Sequence, residues 1–292
     1  MMLINQFEEI CFVLAHYTKM SLEEKWSFLQ DLLVENGQYL YDLKPLKKLC
    51  NQKKAFFLDF QKKFPYQQKK NELLQQGAEW ITISDDEYPI KLKEIYLPPL
   101  VLFYKGNIEW INETIIGIVG ARECTEYGKA VVSKLVPPLV DKGIIISSGL
   151  AKGIDSYAHS TTIEGNGKTI AVIGTGLDRY YPLSNYDIQK KIENEHLVVT
   201  EFPIGSKPLK HHFPLRNRII SGISEGIIVV EAKKRSGSLI TAYQALEQNR
   251  QVYAVPGSIF SKLSEGANDL IKSGAKTVNS PKDIIEDLIY KF

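Results

Sequence analysis

The chain has 292 residues, of which 44% are hydrophobic and 24% charged, with a net charge of +2. That length suits a large α/β domain with a smaller companion, and the balanced charge excludes a histone-like polycation or an acidic disordered tail. Any contact with a polyanion must therefore come from a local basic pocket. Cys11, Cys50 and Cys124 are far apart with no CxxC pair, which argues against a disulfide framework or a zinc site and for a reducing cytoplasm.

The first segment, MMLINQFEEICFVLAHYTKM, places acidic residues before a short apolar run and has no basic leader, so no secretory signal is expected. The best apolar run, IIGIVGA, is broken by Arg122, well short of the roughly 18 to 20 residues that span a bilayer. A soluble, unprocessed protein without membrane contact is predicted. Apolar residues then recur at helical spacing, as Phe7, Ile10, Cys11 and Leu14, and as Trp26, Leu29, Leu32 and Leu33. They predict a small helical domain over residues 1–77. Its lysine pairs, Lys47-Lys48, Lys53-Lys54, Lys62-Lys63 and Lys69-Lys70, are read as solvated helix faces, and no site is placed there.

From about residue 78 the texture changes to short β-branched runs: EWITI, LVLFY, TIIGIVG, IIIS, TIAVIG, LVVTE, IIVVE and QVYAV. Runs that are apolar on both faces and separated by helix-length stretches require a parallel sheet covered on both sides. The intervening helices are predicted over Glu126 to Lys142, Ile154 to Glu164, Ser238 to Asn249 and Gly266 to Ser273, with Pro137-Pro138 expected to kink or interrupt the first. Residues 78–280 thus read as an α/β, doubly wound, mostly parallel Rossmann-like sheet, whose ligands sit beyond the carboxyl ends of the strands. Residues 281–292 read as a short amphipathic C-terminal helix.

Three glycine-bearing loops follow strands directly: GIVGARECTEYG, with Gly120; SSGLAKGIDSYAH, with Gly149; and IGTGLDRYYP, with Gly174 and Gly176. Such loops bring backbone amides and a helix N-terminus close to an anion, although any tight α/β turn needs glycine too. TTIEGNGKT imitates a phosphate-binding loop, but Thr162 replaces its first glycine and it leads into a strand. GTGLDR lacks the third glycine of a dinucleotide fingerprint, with Arg179 in its place. No cofactor and no metal are expected. Arg122, Lys152 and Arg179 sit on the three loops, and LKHHFPLRNRIISG adds Lys210, His211, His212, Arg216, Asn217 and Arg218 around Phe213. Cations that grip phosphate beside a ring that stacks on bases suit a single strand. The opposing reading keeps Phe213 in the core and pairs the arginines with Glu201 and Glu231. Those two carboxylates either act as acid and base or accept bonds from neighbouring loops. Asp155 and His159 lie four apart on a predicted helix and are read as structural, and Cys124 beside Arg122 has no partner base for a catalytic thiol.

In order, DEYPIKLKEIYLPPLVLFYKGN, IVGAR, SGLAKGIDSYAH, GTGLDRYYP, EFPIGSKPLKHHFPLRNRIISGIS, VVEAKKRSGSLITAYQALEQNRQVYAVPG and GANDLIKSGA resemble the DprA/Smf family over residues 78 to 280. The resemblance implies a DNA-binding protein without catalytic residues that protects single-stranded DNA and loads the RecA recombinase in natural transformation, acting as a homodimer. It implies a basic pocket at which Arg122, Lys210, Phe213, Arg216 and Arg218 match motif positions. Many members carry a C-terminal winged-helix domain, and none is expected here. The rival reading is a nucleotide-processing phosphoribohydrolase on a related Rossmann-like fold, of whose glycine-rich loop SGSLITAYQALE is a loose relative. For the dimer, the apolar run QVYAVPGSIF is expected near a sheet edge.

Overall fold

The computed structural model describes residues 4–35 and 49–289. Lys47 and Lys48 lie outside them. Four helices come first: α1 (Ile4–His16), α2 (Leu22–Glu35), α3 (Asn51–Lys63) and α4 (Tyr66–Gln75). The start of α2 is fixed by a capping box, in which the Ser21 amide donates to Glu24 (2.9 Å) and the Glu24 amide donates to Ser21 Oγ (3.2 Å). The remainder alternates: β1 (Glu79–Thr82), α5 (Ile90–Lys93), β2 (Val101–Gly106), β3 (Ile115–Val119), α6 (Glu126–Val140), β4 (Ile145–Ser148), α7 (Ile154–Glu164), β5 (Thr169–Val172), α8 (Tyr186–Glu195), β6 (Leu197–Thr200), α9 (His212–Ile223), β7 (Gly226–Val229), α10 (Gly237–Glu247), β8 (Gln251–Ala254), α11 (Glu265–Lys272), β9 (Lys276–Thr277) and α12 (Lys282–Ile289).

Among the described residues one sheet has the order β1-β2-β6-β5-β4-β3-β7-β8-β9. Its pairs from β6 to β9 are parallel, and β2 joins β1 and β6 antiparallel. Each central strand buries both faces. Ile116, Ile118 and Ile228 meet Val132 and Val136 of α6, Ala158 of α7 and Ile284 of α12. On the other side, Val119, Ile227 and Val229 meet Ile219 and Ile223 of α9 and Ala242 of α10. Two-sided burial explains the unbroken apolar runs and gives the doubly wound α/β class. Because β4 lies on one side of β3 and β7 on the other, successive crossovers diverge there, and a crevice opens over the carboxyl ends of β3 and β7.

One expectation changes. α6 is not interrupted at Pro137-Pro138. Both prolines fall in its last turns, where few backbone bonds remain to be lost, and the Asp141 amide still donates to Pro137 O (2.9 Å). QVYAV does lie near a sheet edge, as the strand next to β9, which pairs with it and itself forms that edge.

Candidate functional site

Two cavities of about 380 and 230 Å³ open over the carboxyl ends of the central strands. The first lies over β3 and β7, between Gly120–Glu123 and the turn Lys233–Ser238. The second lies over β4 and β5, between Gly149–Lys152 and Ile173–Thr175. Arg122, Ala151, Phe213 and Arg216 line both, so the two form one groove.

The loop after β3 is held by Glu231 at the end of the β7 segment. Its carboxylate accepts the Thr125 amide (2.9 Å) and hydroxyl (2.6 Å), and Thr125 Oγ1 caps α6 by accepting the Gly128 amide (3.3 Å). This holds Arg122 at the rim, exposed and without a salt bridge among the described residues. Its guanidinium carbon lies 6.0 Å from the centre of the Phe213 ring. Phe213 is half-buried, packed over Gly174 and 5.6 Å from the Tyr181 ring. A side chain on Gly174 would meet the Phe213 ring at 3.3 Å, so that glycine seats the ring and leaves the other face to the groove.

Arg216 is buried beneath this surface. Its guanidinium donates to Gly149 O and Val172 O, and Nε donates to Asn217 Oδ1 (3.0 Å). A Cβ on Gly149 would overlap that guanidinium, so the loop after β4 needs glycine for space. Burial lowers Arg216 to about 10, and the nearby Asp155 carboxylate opposes that shift. Burial likewise raises the Asp155 carboxyl, opposed first by Arg216 and then by the amides of Ala151, Gly149 and Gly120. The two opposite charges offset one another's burial at the groove floor.

The expected site residues separate accordingly. Gly120, Arg122, Gly149, Lys152, Gly174, Phe213, Arg216 and Asn217 line the groove. Gly176 faces the segment between β6 and α9, where its amide donates to Ser206 O (3.1 Å). Lys210 is exposed on the turn before α9, outside both cavities and without a salt bridge among the described residues. Arg218 is a correction: it turns inward, donating to Leu97 O (2.8 Å) and pairing with Glu201. With its head group inside the protein it contributes no groove wall. Glu201 and Glu231 are thus both engaged, one by an arginine and one by a helix cap. His159 meets Thr169 instead of Asp155, its Nδ1 2.7 Å from Thr169 Oγ1, and burial lowers it to about 3. Cys124 is raised by burial and then by Glu231, the opposite of an activated thiol. Lys168 of the phosphate-loop look-alike pairs with Glu113 (2.9 Å) at the far end of β5.

Sequence reasoning did not place Lys233, Ser236 and Ser238, which form the groove's far wall at the N-terminus of α10. The available signal was a glycine-bearing turn between the strand IIVVE and a helix, the same pattern that marked the other loops. No group of three or more His, Cys, Asp or Glu able to hold a metal occurs among the described residues, and no described helix is long and apolar enough to cross a membrane.

Residues 52–289 match the family described as DNA recombination-mediator protein A. The chain is similar to DNA processing protein DprA of Streptococcus pneumoniae, 50% identical over 206 residues, which cover 70% of this chain and 73% of that protein. It is also 50% identical over 215 residues to Bacillus subtilis DprA, covering 73% and 72%. The X-ray structure of S. pneumoniae DprA superposes with a TM-score of 0.83 at 38% identity over 98% of both chains. Helicobacter pylori DprA, whose structure describes its single-stranded DNA binding mode, superposes with a TM-score of 0.67 at 25% identity, covering 73% of this chain and 97% of that one.

Proposed function

This chain belongs to the DNA recombination-mediator protein A family, and from that membership we propose that it binds single-stranded DNA in the groove over β3, β4, β5 and β7. One observation carries the reading: an unneutralised guanidinium, Arg122, stands beside a half-buried ring, Phe213, on the wall shared by both cavities. The guanidinium suits a phosphate and the ring suits any base face. Lys152 adds charge on one wall, the N-terminus of α10 offers amides across the groove, and Lys210, exposed on the turn before α9, is assigned a further phosphate beyond it. The H. pylori relative's binding of single-stranded DNA supports the partner class. Engagement of Glu201 and Glu231 within the protein favours a binding role over nucleotide hydrolysis.

The finer parts of the proposal rest on family membership alone. The bound strand is protected and passed to the RecA recombinase during natural transformation, by a homodimer in the cytoplasm. Residues 1–77, 78–280 and 281–292 are proposed as a helical domain, the binding domain and a terminal helix.

Fluorescence anisotropy with labelled oligothymidylate over a salt series tests the site. For Arg122→Ala and for Lys210→Ala, the log-log salt slope should each flatten by about 0.7, one phosphate contact. Phe213→Ala should lose about 1 to 3 kcal/mol with the slope nearly unchanged, because stacking releases no counterions. A folded Arg122→Ala/Phe213→Ala protein with parental affinity and slope would refute the assignment.

A further inference from the structure

A cavity of about 1030 Å³, larger than the groove, lies between the helical region and the segment linking β6 to α9. One wall is the end of α1 and the start of α2, with His16, Lys19 and Lys25. The facing wall is the loop from Glu201 to His212, with Phe202 and Lys207. None of the residues lining this cleft lines the groove, and Lys210, on the same loop, lines neither.

Charge in this cleft is unbalanced. Glu201 is the one carboxylate among its lining residues, and Arg218 already holds it. Against it stand Lys19, Lys25 and Lys207, none in a salt bridge among the described residues. Lys25 is only partly exposed, and its ammonium has no hydrogen bond among the described residues. Burial lowers it to about 8, with Glu201 opposing. Acceptors from a ligand would stabilise the charge of an ammonium that burial disfavours there.

The cleft also has an aromatic platform. Phe202 stacks on His212, with centroids 3.9 Å apart and planes within 14°. His212 in turn holds the end of the β5 segment, its Nδ1 donating to Gly174 O (3.1 Å) directly beneath Phe213. The cleft and the groove therefore adjoin through His212. Unpaired cations beside stacked rings are what tracks a flexible polyanion that carries bases.

We infer that this cleft continues the nucleic-acid path: a single strand leaving Phe213 passes His212 and Phe202 and lays its phosphates against Lys19, Lys25 and Lys207. The inference rests on the single-strand reading above and extends it to the helical region.

The test uses the full chain and labelled oligothymidylates of about 5 and about 16 nucleotides, near the ends of the usual range of single-strand site sizes. Lys25→Met/Lys207→Met should leave the short oligonucleotide's affinity unchanged, because Phe213 and Arg122 hold it. For the long one it should flatten the log-log salt slope by about 1.4, two contacts of about 0.7 each. Lys207→Met alone alters only an exposed side chain and should flatten that slope by about 0.7. Raising the pH through about 8 should weaken the parent's grip on the long strand, as Lys25 loses its proton. Lys25→Arg should bind without that step, since a guanidinium stays charged. The other charged and titratable groups facing Lys25 are His16 of α1, Lys19 of the α1–α2 link, Lys207, His211 and His212 of the loop, and Glu201 with Arg218 behind it. His16, lowered to about 4, and His212, also lowered by burial, are neutral through this range. An unchanged long-strand slope in both methionine variants, or a pH step that persists in Lys25→Arg, overturns the cleft while short-strand binding keeps the groove. A protein that binds neither oligonucleotide loses the groove and the cleft together.

Discussion

Three arginines close in sequence or in space behave differently because of what surrounds each head group. Arg122 reaches solvent and keeps its charge for a ligand, whereas Arg216 and Arg218 are buried at 4% and 7% exposure and bond to the protein. Arg216 and Asp155 oppose one another's burial shifts. In Arg216→Met, Gly149 O and Val172 O lose their donor, and Asp155 loses the charge that helps keep it ionised. Its folded pKa then climbs further above the unfolded value of about 3.9. A carboxyl raised in the folded state binds its proton more readily folded than unfolded, so stability falls as pH rises through the interval between the two values and stays reduced above it. The variant should therefore be less stable by roughly 3 to 5 kcal/mol near neutral pH, and by less near about pH 4. Urea midpoints at the two pH values measure this; an equal deficit at both would show that Asp155 is not responsible.

At the scale of elements, the loop carrying Arg122 is only as firm as the first turn of α6. Glu231 crosses from the β7 segment to hold that turn, and its carboxylate would overlap any side chain at position 128, which is glycine. In Glu231→Ala the Thr125 amide and hydroxyl lose their acceptor, at a cost of roughly 1 to 3 kcal/mol. Hydrogen exchange should then accelerate in the first turn of α6 and not in α7; uniform acceleration would count against a local role. This cap was visible in the sequence only as one of two open readings of Glu231, because a strand-end carboxylate gives no sign of which loop it will meet. The central runs, β3 to β7, were legible since burial on both faces leaves continuous apolar stretches, while β9, with two residues, is too short for any pattern. In the sequence α9 stands out only as a basic segment. Its apolar stripe is interleaved with Arg216 and Arg218, and Pro214 sits near its start, where a missing amide costs no helix bond. Arg122 and Phe213 were legible as a pair because cation and aromatic chemistry shows in residue type. The inward turn of Arg218 was legible only as one of two open readings, pairing with Glu201 against lining the groove, since the choice depends on where another element sets Glu201.

For the whole molecule, the question is whether the helical region and the sheet unfold as one body. Phe12 of α1 packs edge-on against Trp80 of β1 and Phe103 of β2, with centroids 5.2 and 5.8 Å away. One continuous core runs from Phe12 and Trp26 to the central strands. The turn before β2 acts as a clasp, because three consecutive carbonyls there accept donors from different parts of the chain. Leu97 O takes Arg218 of α9 (2.8 Å), Pro98 O takes the Trp26 indole of α2 (2.8 Å), and Pro99 O takes the Tyr88 hydroxyl (2.7 Å). Trp26→Phe keeps most of the buried ring but leaves Pro98 O without its donor, which costs roughly 1 to 3 kcal/mol. If the clasp couples the two parts, that cost must appear in the single transition of the entire chain. The urea midpoint should fall with the m-value unchanged, and it should fall equally whether unfolding is followed by far-ultraviolet circular dichroism or by fluorescence of Trp80 and Trp110. An earlier, separate loss of helical signal, with the tryptophans near the sheet still native, would mean that the helical region unfolds independently and that the shared core does not bind the two parts into one cooperative unit.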